Sequence, residues 1–82
     1  MSIKESVRRY VIDNFLFGKD ELKDDDSFLE MKIMDSTGVL EMVSYLEETF
    51  GITVEDEEII PENLDTVELI VAYVERKGGV PD

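Results

Sequence analysis

The chain has 82 residues, a hydrophobic fraction of 43%, a formal net charge of −13 at pH 7 and no cysteine. This length predicts one domain over 1–82, with a core over about 3–77 and a loose tail at 78–82. The acidity disfavours DNA, RNA and anionic membranes as partners, favours proteins with basic patches and opposes self-association, so we expect a monomer. The absence of a signal peptide or an apolar run of the ~18–20 residues that a membrane span needs predicts a cytoplasmic protein.

The first predicted element is an amphipathic helix over about 3–17. Ser2, followed three residues later by Glu5, is typical of a capping box at a helix start. Gly18 is a plausible end. The apolar face is formed by Ile3, Val7, Val11 or Tyr10, and Phe15.

A long connection follows over 18–34, where the apolar residues show no clean period. We expect Phe28, Leu29 and Ile33 to hold this segment against the core, because unstructured loops of this length are uncommon in compact domains. The acidic run 24–26 lacks the glycine that a calcium-binding loop needs at its sixth position, so no specific metal site is predicted.

Asp35 or Ser36 is expected to cap a second helix, which ends at Gly51. One face of this helix carries the apolar residues Val39, Met42, Val43, Leu46 and Phe50. Ser36 lies on the other side, at the start of a window over 33–75 that has twelve acidic residues and no basic one. This long stretch of one charge is expected to attract a basic partner.

Two shorter elements complete the prediction. Residues 55–60 are expected to form a short helical turn that Pro61 stops. Asp65 with Glu68 is read as the cap of a last helix that runs to about Lys77. Its apolar face is formed by Val67, Ile70, Val71 and Val74.

Ser36 is better placed to be modified than to catalyse a reaction. A catalytic serine needs a base, and the chain has no histidine and no cysteine. Lysine is the common substitute, but nothing in the sequence places the amine of Lys32 beside the hydroxyl. From the residues alone, a plain helix cap and a modification site remain about equally good interpretations of Ser36.

The predicted elements are three long helices, a short third helix and a long first loop, with Asp35-Ser36 before the run 40–52. This combination resembles the acyl carrier protein family over nearly the whole chain. The resemblance implies an all-α, four-helix acyl-carrier-like bundle. It also implies that a phosphopantetheinyl transferase attaches 4′-phosphopantetheine from coenzyme A to Ser36, with Asp35 supporting the transfer. Such a protein is not an enzyme. It tethers acyl intermediates as thioesters and presents them to partner enzymes.

The chain departs from the usual fatty acid carrier pattern. Thr37 and Gly38 replace the usual leucine and aspartate, and Ser44 stands where an apolar contact residue is common. Gly38 is expected to remove an acidic contact and to loosen the first turn of the helix. The pattern resembles specialised stand-alone carriers that serve a dedicated acyl- or aminoacyl-activating ligase and downstream acyl-transfer enzymes. The cargo stays open among fatty acyl groups, as in fatty acid biosynthesis, short organic acyl groups and aminoacyl groups.

Two groups of residues are candidates for further roles. The predicted partner-binding surface comprises Thr37, Leu40, Glu41, Ser44, Glu47 and Glu48. Taken singly, each of these residues is better explained as an ordinary solvated residue. The candidates for an acyl cavity are Leu46, Phe50, Ile59, Ile60, Ile70 and Val71, with Ile52 and Leu64 in the same apolar set. The simpler interpretation is that these residues form the hydrophobic core.

An alternative function, of a different class, is that of an unmodified acidic helical module that binds a basic protein.

Overall fold

The computed structural model describes residues 2–19 and 21–81 and shows a helical bundle. The helices are α1 (Ile3–Phe15), α2 (Ser36–Phe50), α3 (Pro61–Leu64) and α4 (Val67–Arg76), with a 3₁₀ turn at Asp56–Glu58. No residue in the described part is assigned to a strand, and no helix there has the length and apolarity to cross a membrane. The predicted fold class, with three longer helices, a short third one and a long first connection, is confirmed.

The start of α1 follows the prediction, and its end comes two residues earlier. The Ser2 hydroxyl accepts from the Glu5 amide at 3.1 Å, and the Ser2 amide donates to Glu5 at 3.3 Å, so the capping box is formed. Phe17 and Gly18 both take left-handed conformations, with φ of 53° and 82°. The Phe17 ring is 94% exposed, so it adds nothing to the buried face of α1.

Asp24 ties the first connection to two helices. Its carboxylate pairs with Lys4 and, at 2.8 Å, with Arg8, both from α1. Its backbone carbonyl accepts from the amide of Glu68 in α4 at 3.0 Å. The pKa of Asp24 is lowered, first by the hydrogen bond from Lys4. Within 2–19 and 21–81 no three acidic side chains converge into a metal-binding group.

Both predicted ends of α2 are confirmed. Asp35 is the N-cap, and its Oδ1 accepts from the Gly38 amide at 2.8 Å. Gly51 takes a left-handed φ of 69° at the other end, and its amide donates to Glu47 O at 3.0 Å. A glycine suits this position because it has no Cβ to strain the left-handed conformation.

The third helix lies later than predicted. Only a 3₁₀ turn forms before Pro61, and Pro61 begins α3 instead of stopping a helix. The first turn of a helix tolerates proline, because its missing N–H would have no intrahelical partner there. The cap assigned to Asp65 is also wrong. Thr66 is the N-cap of α4, and its hydroxyl accepts from the Leu69 amide at 3.0 Å.

The predicted loose tail keeps contact with the bundle as far as residue 80. The Gly79 amide donates to Val74 O at 2.9 Å, and the Val80 amide donates to Phe50 O at 3.5 Å. The side chains of Val80 and Pro81 are exposed. Asp82, which the prediction includes in the tail, lies outside the described residues.

Candidate functional site

Ser36 is exposed at the first residue of α2. The amide of Val39 makes the first intrahelical hydrogen bond, to Asp35 O at 3.0 Å, so the amides of Ser36 and Thr37 precede it. Amides in this position carry the partial positive charge of the helix and attract anions. An anionic group on the Ser36 hydroxyl would therefore be stabilised by its own helix.

The phosphopantetheine group that the resemblance implies fits this turn. Ser36 is accessible to an enzyme, and it also contributes to the lining of an apolar groove beside α2. A phosphodiester on the hydroxyl would lie at the helix N-terminus, while the remainder of the arm has room to extend along the groove.

One flank of the Ser36 turn is filled by a ring from α1. Gly38 is buried, and a Cβ added to it would lie 2.9 Å from Cε1 of Phe15 and 3.4 Å from Oδ1 of Asp35. Gly38 therefore does not stand where a longer residue could offer an acidic surface contact, contrary to the expectation from sequence. It gives the aromatic ring its place against the backbone.

Phe15 is the end of a row of rings between α1 and α2, here called the aromatic seam, which comprises Phe15, Tyr10, Tyr45 and Phe50. Phe15 meets Tyr10 edge-on with ring centroids 5.9 Å apart, and Tyr10 stacks on Tyr45 at 4.1 Å. Tyr45 then meets Phe50 edge-on at 6.0 Å. The Tyr45 hydroxyl donates to Ser6 O at 3.0 Å, which ties the seam back to α1.

The environment of Tyr10 shows how the seam borders the acidic surface of α2. Burial raises the pKa of Tyr10, with smaller contributions from the charge of Glu41 and from Tyr45. Glu41 and Tyr45 are one helical turn apart on α2, so the exposed carboxylate lies beside the row of rings.

The other flank of the Ser36 turn is open and forms the groove, with a volume of about 340 Å³. It lies between the first connection, α2 and the segment around α3. Its lining is mainly apolar and comprises Phe28, Leu29, Met34, Ser36, Val39, Leu40, Ile59, Ile60, Pro61, Leu64 and Asp65.

The structure brings only part of the predicted cavity set to the groove. Ile59, Ile60 and Leu64 line it. The others lie elsewhere, buried or half-buried in the core: Leu46, Phe50, Ile52, Ile70 and Val71. The prediction that the loop is held to the core is confirmed for Phe28, which is buried, and for Ile33, which packs against the core, but not for Leu29, which is 56% exposed. Phe28 and Leu29 also form a wall of the groove.

Asp65 holds the loop side of the groove. Its carboxylate accepts from the Ser27 hydroxyl and, at 3.0 Å, from the Leu29 amide. Its backbone carbonyl accepts from the Phe28 amide at 2.8 Å. A single residue after α3 therefore orders three consecutive residues of the first connection.

Glu58 holds the opposite side of the groove to α4. Its Oε1 accepts from the Tyr73 hydroxyl at 3.0 Å and from Lys77 Nζ at 2.8 Å. The hydrogen bond from Lys77 is the main reason that the pKa of Glu58 is lowered. Burial, with a smaller contribution from the bond to Glu58, raises the pKa of Tyr73 to about 12. Ile59 and Ile60 follow this anchor directly.

The predicted partner-binding residues are exposed on α2 with one exception. The exposed members are Thr37, Leu40, Glu41, Ser44 and Glu48. Glu47 is half-buried, and its Oε2 accepts from the Val54 amide at 2.9 Å. Its carboxylate therefore supports the segment after α2.

Comparison with known proteins identifies the family of the chain. The family model described as phosphopantetheine attachment site matches residues 5–74. The chain is 38% identical over 78 residues to an acyl carrier protein of Akkermansia muciniphila, covering 95% of each chain. It is 39% identical over 75 residues to an acyl carrier protein of Helicobacter hepaticus, covering 92% of this chain and 96% of the other. The chain therefore belongs to the acyl carrier protein family, and it is a carrier that bears covalently attached 4′-phosphopantetheine and not an enzyme.

Proposed function

We propose that Ser36 carries the 4′-phosphopantetheine and that the protein presents short, apolar acyl groups to partner enzymes. The observation that supports this most is the placement of an exposed hydroxyl at the capped start of α2, at the border of an apolar groove. When attached, the group supplies a flexible arm with a terminal thiol, which holds an acyl group as a thioester.

The lining of the groove favours an apolar cargo. Asp65 is the charged residue of the lining, and both its oxygens already accept hydrogen bonds from the first connection. An aminoacyl group in the groove would meet Asp65 as the one carboxylate of an otherwise mainly apolar lining, and desolvating its ammonium there would cost more than burying an aliphatic chain. An aliphatic chain has no charged group to desolvate, and its burial in the groove is favourable.

The size of the groove favours a short cargo. A volume of about 340 Å³ is at the lower end of the roughly 300–1,000 Å³ range of small-molecule pockets. A long acyl chain would extend past Leu29 and Ile60 into water, since both side chains lie at the exposed side of the lining. We therefore favour short acyl groups over long fatty chains.

The partners implied are a phosphopantetheinyl transferase, an acyl-activating ligase and acyl-transfer enzymes, all with basic patches in the cytoplasm. The exposed residues of α2 offer them Leu40 as an apolar contact between Glu41 and Thr37, with Glu48 further along the helix. Charge complementarity of this kind raises the rate of encounter more than the final affinity.

Intact-mass spectrometry tests the attachment site. The protein is incubated with coenzyme A, magnesium and a broad-specificity phosphopantetheinyl transferase. We expect a gain of one phosphopantetheine in the wild type and in Ser44→Ala, which removes an exposed serine of the same helix, but none in Ser36→Ala. Circular dichroism should show all three folded. A gain in Ser36→Ala would refute the assignment, and no gain in folded wild type would favour an unmodified acidic interaction module.

Reversing two charges tests the docking surface. Glu41→Lys with Glu48→Lys should slow modification at low salt and lose much of that effect at high salt, because screening weakens the attraction. Glu68→Lys with Glu75→Lys is the matched control, since it makes the same charge change on exposed residues of α4. Equal rates for the two double variants would show that α2 is not the surface that the transferase meets.

Thermal unfolding of acylated forms tests the cargo. The transferase can load acyl groups of increasing chain length, and also an aminoacyl group, from the matching coenzyme A thioesters. Binding in the groove stabilises the folded protein, so Tm should rise with short aliphatic chains and then level off. A rise with the aminoacyl group and none with aliphatic chains would reverse the assignment.

A further inference from the structure

Phe15, the last residue of α1, packs against the Ser36 turn, and its ring is half-buried. Its Cε1 and Cζ lie 2.9 Å and 3.4 Å from the point that a Cβ on Gly38 would occupy. Carbon atoms in ordinary contact are about 3.5–4.0 Å apart, so the ring fits closely only because residue 38 has no side chain. The ring therefore takes the place of a side chain on the first turn of α2.

The same small volume contains the cap of the helix. Oδ1 of Asp35 lies 3.4 Å from the same Cβ point and accepts from the Gly38 amide at 2.8 Å. The ring, the capping carboxylate and the amide are thus packed together. The carboxylate belongs to the residue before Ser36, and the amide belongs to the second residue after it.

The ring is itself held from behind. Tyr10 meets it edge-on at 5.9 Å and stacks at 4.1 Å on Tyr45, which belongs to α2. The contact therefore starts on the first turn of α2, passes through two rings of α1 and returns to α2 further along the helix. A ring held in this way resists displacement, as expected in a close-packed interior.

We infer that Phe15 is a positioning residue for Ser36: its ring, seated on Gly38, fixes the turn that carries the hydroxyl. This inference rests on the proposed attachment at Ser36. In the transferase the Ser36 oxygen forms a bond to the pantetheine-side phosphorus of coenzyme A, the pyrophosphate bond to the departing adenosine 3′,5′-bisphosphate breaks, and a base of the transferase takes the hydroxyl proton. The attacking oxygen must lie in line with the bond that breaks, and small displacements of a reacting group are costly in rate. Phe15 acts through Asp35 and the helix backbone and does not touch the reacting atoms.

Two substitutions and their combination test the pair. Gly38→Ala inserts a methyl group where the ring lies, and Phe15→Leu removes the ring. If Phe15 only filled space, Gly38→Ala and Phe15→Leu would change the stability of the protein and leave kcat for transfer unchanged. We expect instead that kcat for transfer falls roughly tenfold in Gly38→Ala and less in Phe15→Leu, with KM little changed in both.

The double variant Phe15→Leu with Gly38→Ala is decisive. Leucine makes room for the methyl group, so we expect kcat to recover above that of Gly38→Ala alone. Phe17→Leu is the matched control, because it makes the same change two residues away on a ring that is 94% exposed. It should keep the wild-type rate.

Three outcomes would overturn the inference. A double variant no faster than Gly38→Ala would show that the two residues act separately, and equal rates for Phe15→Leu and Phe17→Leu would show that the ring does not matter. The comparison of Phe15→Leu with Phe17→Leu does not use Gly38→Ala, so it stays valid even if Gly38→Ala does not fold. If the wild type itself is not modified, the proposed function has failed and the positioning role falls with it. If the wild type is modified but the double variant does not recover kcat, the positioning role alone is overturned and the proposed function stands.

Discussion

The two flanks of the Ser36 turn are built in opposite ways. Toward α1 the space is filled by the aromatic seam, and Phe15 packs so closely on Gly38 that a Cβ there would lie 2.9 Å from the ring. Toward α3 the space is left open as the groove of about 340 Å³. The same serine therefore has a rigid support on one side and room on the other.

The difference shows how a small carrier divides two requirements. The seam is held by ring contacts, which have few alternative arrangements and fix the helix start. The walls of the groove are held by hydrogen bonds of Asp65 and Glu58, which position loop segments without filling the space between them. Under the two proposals above, the first flank fixes the position of the Ser36 hydroxyl and the second leaves space for the acyl group.

The largest effect is expected in the seam. Phe50→Ala should lower the free energy of unfolding by about 3–5 kcal/mol, because Phe50 is 1% exposed and its removal leaves a cavity. Urea unfolding measures this. Leu69→Ala, at a position that is 37% exposed on α4, is the control and should cost far less. Similar losses in the two variants would contradict a tightly filled seam.

The Tyr73 anchor of the groove predicts a loss of stability at alkaline pH. The pKa of Tyr73 is raised from 10.0 to about 12 in the folded protein. Its contribution is therefore complete below pH 10 and is lost as pH rises from 10 to about 12. A shift of this size corresponds to about 3 kcal/mol.

Tyr73→Phe isolates this contribution, because it removes the hydroxyl that donates to Glu58 and keeps the aromatic ring. Urea midpoints of the wild type should fall more steeply than those of Tyr73→Phe across the same alkaline range. Parallel curves would show that the Tyr73 hydroxyl does not anchor the segment through Glu58.

A smaller effect is expected at the loop side of the groove. Asp65→Ala should cost about 1–3 kcal/mol, because the Leu29 amide and the Ser27 hydroxyl lose a charged acceptor. The Leu29 amide should also exchange faster with solvent. Glu62→Ala removes an exposed acid nearby and controls for the change in net charge. Unchanged exchange at Leu29 would refute this role for Asp65.

The smallest effect on stability is expected at the edge of the groove. Leu29→Asp changes a side chain that is 56% exposed, so the free energy of unfolding should change by no more than about 0.5 kcal/mol. It should nevertheless weaken binding of a neutral apolar dye such as Nile red. Leu69→Asp makes the same change outside the groove and should leave dye binding intact. Equal dye binding would show that the groove does not take apolar molecules.

The sequence predicts the fold well where local rules decide it. The capping box of Ser2 and Glu5 and the glycine end of α2 follow from contacts within a few residues, and both are confirmed. Apolar periodicity also places the buried faces of α1, α2 and α4. The pattern fails at Pro61, where the same residue can end one helix or begin another, and only the surrounding chain decides.

The site is harder to predict because its two flanks depend on distant residues. Asp65 looks like a helix cap, yet its partners lie 36 and 38 residues earlier in the chain. Gly38 looks like a loosened first turn until the ring of Phe15 is placed on it. Ser36 stands out from its neighbours alone, whereas the groove becomes visible only once the first connection has folded.

The bond between the first connection and Asp65 also has a consequence for the order of folding. Contacts across 36 residues require the closure of a long loop, which is entropically costly, whereas the helices form from local contacts. The wall containing Phe28 and Leu29 should therefore be assembled late, after the turn between α3 and α4. In the native protein it should open at lower free energy than the seam, so the groove can loosen while the turn that contains Ser36 stays folded.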